Sequence, residues 1–154
     1  MRIRAMEAND FEGVHVLFGQ VHALHVENRP DVYRDADPLP RERFDEMLAN
    51  GKAICLVAEE AERIAGFCVL ILRAPAQNPA MLPVCVAFMD DLCVHSDFRR
   101  RGIGKALLVA ARDAARARGA QTLMLQVWAF NEAALRFYEA AGLRVRNLNL
   151  EEPL

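Results

Sequence analysis

Apolar and polar residues recur at two periods along this chain, and the switches between them mark out its elements. Residues 2–6 alternate over a short stretch that predicts a first strand. Asn9 or Asp10 can cap a helix running to about Asn28, because Phe11, Val14, Leu17, Phe18, Val21 and Leu24 gather on one stripe at about 100° per residue. Pro and Asp then accumulate over residues 28–40, an irregular surface segment, before a second short helix at residues 41–50 that Gly51 stops. Runs of Val, Ile, Leu and Cys at residues 53–59 and 64–72 flank the charged segment Glu60, Ala61, Glu62, Arg63, which predicts a β-hairpin.

Pro75, Pro79 and Pro83 break the chain into a loop. Residues 84–94 read as a long strand interrupted only by Asp90 and Asp91. From Ile103 the positions Leu107, Ala110, Ala111 and Ala114 keep helical spacing until Gly119, with Arg116 and Arg118 suited to a helix C-terminus. Residues 122–128 alternate as a strand, Asn131 can cap a last helix that Gly142 ends, and residues 143–150 predict a final strand. No internal repeat is present. The order of elements is that of an α/β domain whose second half carries parallel-type crossovers.

Length and composition narrow the class. A chain of 154 residues corresponds to one domain, taken here as residues 1–154, and 53% hydrophobic residues with 8 Gly and 7 Pro exclude collagen-like and disordered chains. A net charge of −2 offers no global attraction to nucleic acid or anionic lipid, so any anion site must be local. Cys55, Cys68, Cys85 and Cys93 form no CxxC pair and fall in apolar runs, as small core residues in a reducing compartment do. The opening residues contain no apolar run that would serve as a signal peptide, and no stretch avoids charge for the length of a membrane span. The expected setting is cytoplasmic.

The segment from Asp90 to Lys105 carries the most chemical information. A strand ends, a basic glycine-containing turn follows, and a helix begins. Such a turn lets backbone N–H groups approach an anion, the new helix presents its positive end, and Arg99, Arg100 and Arg101 supply charge-assisted bonds. A phosphate ester or pyrophosphate fits these features. A nucleotide P-loop would need Gly at Arg99 and Ser or Thr at Ala106, and a dinucleotide fingerprint would need a small residue at Leu107. Neither pattern is met.

Arg99-x-x-Gly102-x-Gly104 matches the coenzyme A pyrophosphate motif of the GNAT superfamily of N-acetyltransferases, which this chain resembles. The segment from Asn131 through Phe137, Tyr138 and Glu139 to Gly142 and Leu143 resembles the closing helix of that family, one strand downstream. The resemblance covers roughly residues 84–145. It implies a mixed, mostly antiparallel twisted sheet with helices on both faces, binding acetyl-CoA as co-substrate. It also implies a cofactor contact surface made of Leu92, Cys93, Val94, Arg99, Arg100, Arg101, Gly102, Ile103, Gly104, Lys105, Asn131 and Tyr138. Independently, Asn131 and Tyr138 are seven residues apart, so on a helix they share a face about 10 Å apart and one ligand can touch both. Without the resemblance, Tyr138 would read as a half-buried core aromatic.

The implied reaction is transfer of acetyl to a primary amine, of a small molecule, by direct attack while both substrates are bound. An alkyl amine of pKa about 10 must lose a proton first, and Asp91, then Asp90, are the nearest carboxylates. Successive strand residues point to opposite faces, so only one reaches the acceptor unless a bulge re-aims them. In the family a backbone N–H of residues 92–94 faces the thioester oxygen, and the Tyr138 position protonates the departing thiolate. The branch that acetylates ribosomal proteins places a Glu base where this chain has Gln126, a neutral amide that cannot serve as base. Family members often have Gly where Arg100 stands.

His25 falls inside the apolar stripe of the first helix and His15 and His22 on its edge, where packing is the expected role rather than metal binding. No metal is expected. Tyr33 and Trp128 are left open between flanking an amine and packing. The alternative function is a non-catalytic acyl-CoA-binding regulatory module, against which the joint presence of Asp91 and Tyr138 speaks. Nucleic acid and membrane are not expected partners, and a homodimer is left open.

Overall fold

The computed structural model describes all 154 residues. Five strands form one sheet in the order β1 (Arg2–Ala5), β2 (Ala53–Glu60), β3 (Arg63–Arg73), β4 (Val86–Val94) and β5 (Thr122–Leu125). Every neighbouring pair is antiparallel except β4 and β5, which run parallel. The hairpin between β2 and β3 turns through Ala61 and Glu62, both in the left-handed region (φ 50° and 60°), as a tight two-residue hairpin turn requires.

Four helices cover the two faces. On one side lie α1 (Phe11–Asn28) and α2 (Arg41–Ala49), whose Val14, Leu17, Phe18 and Phe44 pack on Val57, Phe67, Val69 and Cys93 of the sheet. On the other lies α3 (Ile103–Ala117), whose Ile103, Leu107, Leu108 and Ala111 pack on Cys68, Leu70, Ala87 and Met89. The closing helix α4 (Glu132–Ala140) joins this second layer through Phe137 and Tyr138. Strand β3 supplies both cores because its side chains alternate: Phe67 and Val69 face α1, Cys68 and Leu70 face α3. The mixed, mostly antiparallel sheet with helices on both faces is thus the architecture expected from the sequence.

Three local expectations need correction. Asp10 stands at the N-cap of α1, but its carboxylate turns back to accept from the Glu7 N–H (2.7 Å) and from Arg4 (2.7 and 2.8 Å). A two-pronged bond to a guanidinium outcompetes a single bond to a helix amide. The strand expected at residues 122–128 leaves the sheet after Leu125. The strand expected at residues 143–150 does not form: this segment pairs with no neighbour, and Val145, Leu148 and Leu150 are exposed. Alternation supplies the propensity for a strand, but a strand exists only against a partner edge.

All four cysteines are free thiols. Cys68 and Cys93 are buried, and burial pushes both up to about 12, so neither ionises near neutral pH. No helix is long and apolar enough to cross a membrane.

Candidate active site

The sheet opens in the middle. Pairing of β4 with β5 runs from Val86 opposite Thr122 to Met89 opposite Leu125 and stops there, while β4 continues to Val94 bound only to β3. At the same place β4 bulges: Leu70 lies opposite Met89 and Val69 opposite Asp91, so Asp90 is the extra residue. The bulge resets which side chains face which helix. Met89 and Leu92, three residues apart, both pack toward α3, which regular alternation forbids. Asp91, registered with Val69, is turned toward the α1 and α2 face together with Cys93.

Backbone groups follow the same parity. The His95 N–H bonds the Ala65 carbonyl at 2.9 Å, so the backbone groups of Asp91 and Cys93 also face β3. Those of Leu92 and Val94 face the gap, where β5 no longer meets them. Of the three residues expected to contact acetyl-CoA through this strand, Leu92 and Val94 have amides aimed into the opening, and Cys93 has its amide in the ladder and its thiol against the Leu17 carbonyl (3.7 Å).

The two carboxylates differ in surroundings. Asp91 is half-buried, and desolvation, then the neighbouring charge of Asp90, pushes it up to about 6 against the attraction of Arg43. Asp90 is exposed and is raised by partial desolvation, which Arg73 and Arg43 oppose. Arg73 lies with its guanidinium 3.6 Å from the centre of the Phe88 ring, and Arg43 donates to the Pro38 carbonyl at 3.1 Å. Neither arginine forms an ion pair within the chain. These two cations beside the acids were not singled out from sequence, because they come from α2 and the far end of β3.

Beyond Val94 a single turn, Ser96–Phe98, leads into the basic segment. Arg100 has φ 66° and Gly102 φ 80°, so two left-handed residues bracket Arg101 and curl the backbone into a concave turn at the start of α3. Arg100 therefore occupies a conformation that glycine adopts without strain, which accounts for Gly being frequent there in the family. The first helical bond is from the Ala106 N–H to the Gly102 carbonyl (3.0 Å), which leaves the amides of Ile103, Gly104 and Lys105 without intrahelical acceptors. Two of the arginine heads rest elsewhere: Arg99 Nε donates to the Val94 carbonyl (3.3 Å), and Arg101 lies 3.8 Å from Glu60 and 5.2 Å from the Phe98 ring. Both contacts are solvent-exposed, and such contacts hold a side chain by only about 0–1 kcal/mol.

Helix α4 closes the gap from the α3 side. The Asn131 carboxamide oxygen accepts from the Ala134 N–H (3.1 Å), as expected of a cap, and its NH2 is left to donate elsewhere. A Cβ on Gly104 would stand at ordinary contact distance, 3.4 Å from the Phe137 ring and 3.5 Å from Val94, so α3, α4 and β4 meet here with room for a methyl group and little more. The Tyr138 hydroxyl reaches 3.9 Å from the Met89 sulfur, at the last paired residue before the gap. Burial pushes this phenol up to about 12.

On the opposite face an aromatic cluster stands beside the opening. Trp128 Nε1 donates to the Tyr33 hydroxyl (2.9 Å), Tyr33 stacks on His25 (4.9 Å), and Phe130 stacks on Trp128 (6.1 Å). Tyr33 and Trp128 are thus packed against each other, and Arg29 already covers the Trp128 ring at 4.6 Å. His22 donates to the Arg34 carbonyl (2.7 Å) and His15 lies 2.9 Å from Asp37. No three His, Cys, Asp or Glu side chains converge as a metal site would require.

A sheet split at its single parallel pair, with a concave basic turn at one end of the split and a tyrosine at the other, defines an acetyltransferase. The chain belongs to the acetyltransferase (GNAT) family, whose sequence profile matches residues 19–143. It is 31% identical over 144 residues to the uncharacterized N-acetyltransferase YhfO of Bacillus subtilis, spanning 92% of this chain and 89% of that protein. A mutant of the BH1408 protein from Bacillus halodurans has the same fold, with a TM-score of 0.95 and 32% identity over 100% of this chain and 99% of that one. The ribosomal protein bS18 alanine N-acetyltransferase of Salmonella typhimurium is 43% identical over 56 residues, 36% of this chain and 38% of that enzyme.

Proposed function

We propose that this enzyme moves the acetyl group of acetyl-CoA to the primary amine of a small molecule, by direct attack of the amine with both substrates bound. The observation that carries the reading is the split after Met89, which has Asp91 on one face and Tyr138 on the other. A thioester supplies an activated carbonyl and a good leaving group. What the chain must add is a place to hold it, a base on one side and an acid on the other.

The holding surface fits a pantetheine pyrophosphate in its chemistry. Ile103, Gly104 and Lys105 present free amides at the positive end of α3, and Arg99, Arg100 and Arg101 add charge-assisted bonds once their loosely held heads turn inward. Leu92 and Val94 offer backbone amides along the gap, and Asn131 donates from the start of α4. An amide aimed at the thioester oxygen stabilises the charge that develops there by about 3 kcal/mol.

Asp91 is the base. With its carboxyl pushed up to about 6 it is ionised at neutral pH yet basic enough to take a proton from an ammonium, directly or through a water. Asp90, exposed at the rim, draws the ammonium to the opening. Tyr138, held protonated by its raised value, supplies the proton that the thiolate takes as it leaves.

Two observations bear on the acceptor. Gln126 is exposed immediately after β5 and brings no carboxylate, which disfavours the base arrangement of the ribosomal-protein branch despite the 56-residue similarity. Arg43 and Arg73 beside Asp90 disfavour a polycation in the same cleft. The four free thiols support a cytoplasmic setting, and the fold supports a single domain over residues 1–154.

The test is release of CoA thiol over a panel of polyamines, amino acids, aminoglycosides and peptides, with Tyr138→Phe as control. Turnover with at least one small amine, lowered in the variant, is expected. Tight CoA binding without thiol release on any acceptor would instead establish a non-catalytic binding module.

A further inference from the structure

The face of the sheet that carries Asp91 carries cations as well. Phe88 on β4 stands opposite Ile71 on β3, and Ile71 packs toward α1 and α2. Arg73, two residues beyond Ile71, lies on the same face by alternation, and its guanidinium rests 3.6 Å from the centre of the Phe88 ring. The bulge then turns Asp91 to this face with Asp90 at its rim, since Met89 and Leu92 on either side of them both pack toward α3. Arg43 acts on the same two acids from α2.

Cations in this position work against an acceptor that is only an amine. They repel an incoming ammonium, and Arg43 lowers the basicity that Asp91 needs. No carboxylate of the chain pairs with them: Arg43 donates to the Pro38 carbonyl (3.1 Å), Arg73 stacks on Phe88, and neither forms an ion pair. A guanidinium held by its face keeps its N–H donors, which lie in its plane, for another partner. An anion carried by the acceptor itself fills those donors and cancels the repulsion. Phe88 and Asp91 are three positions apart on β4, roughly 10 Å at about 3.3 Å per residue. That span takes a hydrogen bond at each end and a short ligand between them.

We propose that the acceptor is a zwitterion, a primary amine with a carboxylate or phosphate a few bonds away, whose anion is held by Arg43 and Arg73 while its ammonium meets Asp91. This substrate class rests on acetyl transfer to a small amine, with Asp91 as base, being the reaction. Arg43 and Arg73 are then the residues that set specificity, and Phe88 is the floor on which one of them is held ready.

Matched acceptors test the assignment: amino acids against their amides, and aminoalkyl phosphates against the parent amino alcohols, followed by release of CoA thiol. At least one anionic acceptor is expected to exceed its neutral partner about tenfold or more in kcat/KM, and the pair that does so tells carboxylate from phosphate. In the double variant Arg43→Gln, Arg73→Gln that ratio should fall close to one, chiefly through KM. A variant that has merely lost the cover over Phe88 lowers both members of a pair alike; a ratio left standing in it would overturn the proposal. Neutral amines acetylated as fast as their anionic partners by the wild type would also overturn it, while leaving small-amine acetylation intact. Calorimetry of the same pairs on the enzyme with CoA bound separates the remaining outcomes. An anionic acceptor bound in preference to its neutral partner but never acetylated would count against small-amine acetylation and keep the anion subsite, whereas neither preference nor turnover with any pair would overturn both.

Discussion

The Tyr138 hydroxyl stands 3.9 Å from the Met89 sulfur, and Met89 is the last residue at which β4 and β5 are still paired. The closing helix thus brings its phenol to the mouth of the split rather than into the closed core. A thioether is a weak acceptor, so the hydroxyl owes little to the fold and is free to serve a ligand. Tyr138→Phe should leave thermal stability and CoA affinity nearly unchanged while lowering kcat by about 100-fold, the lower end of what a general acid contributes. Thiol release and calorimetry on the same preparation separate the two effects, and an unaltered kcat would remove Tyr138 from the acid role.

Asp91 ties activity and stability to pH in opposite senses. As base it must be ionised, so kcat/KM should rise about tenfold per pH unit below about 6 and level off above. The folded value, about 6, lies above the ordinary 3.8, so the folded chain binds more protons than the unfolded one between these values. Stability from this group is therefore full below about pH 4 and lost as pH rises through about 6. Asp91→Asn should raise the melting temperature at about pH 8 and not at about pH 4, while abolishing the acid limb of activity. A melting temperature that responds equally at both values would contradict the assignment.

Arg100 holds a left-handed conformation, φ 66°, in the turn that leads into α3. Replacing it by Gly relieves strain of about 1–2 kcal/mol and adds unfolded-chain freedom of about 0.4–1 kcal/mol, for a net gain of about 0.5 kcal/mol. The guanidinium lost is the one of the three with no partner within the chain, so CoA affinity should drop several-fold at low salt and less at high salt. Calorimetry at two ionic strengths, with a melting curve, reads both consequences.

A side chain on Gly104 would meet Phe137 and Val94 at once. A single added methyl stands at contact distance, so Gly104→Ala should keep both fold and activity. The branched side chain of Gly104→Val cannot fit without displacing Phe137 and with it the adjacent Tyr138. It should lose activity more than the alanine variant, with a melting temperature lowered by several degrees. Equal activity in the two variants would show that the spacing of α3 and α4 does not set the position of the phenol.

Most of the fold was legible along the chain, because helices and strands are local patterns. The stripe from Phe11 to Val21, the hairpin around Glu60 to Arg63 and the helix from Ile103 each appear where periodicity places them, whereas Leu24, at the end of that stripe, is exposed. The basic turn and the pair Asn131 and Tyr138 were legible too, since their spacing is fixed within one turn or one helix. Arg43 and Arg73 escaped notice because nothing local distinguishes them from surface arginines.

What the sequence determined unaided is what period and turn chemistry govern: the four helices, the first five strands, their order and the residue types at the turn before α3. Tertiary structure alone decided where β4 and β5 part, that Asp90 is the bulged residue and Asp91 the one turned toward α1 and α2, and that residues 143–150 pair with nothing in the single chain. These are matters of register and of the presence or absence of a neighbouring edge. A hydrogen-bonded ladder is a relation between two segments, and no pattern within one of them specifies it.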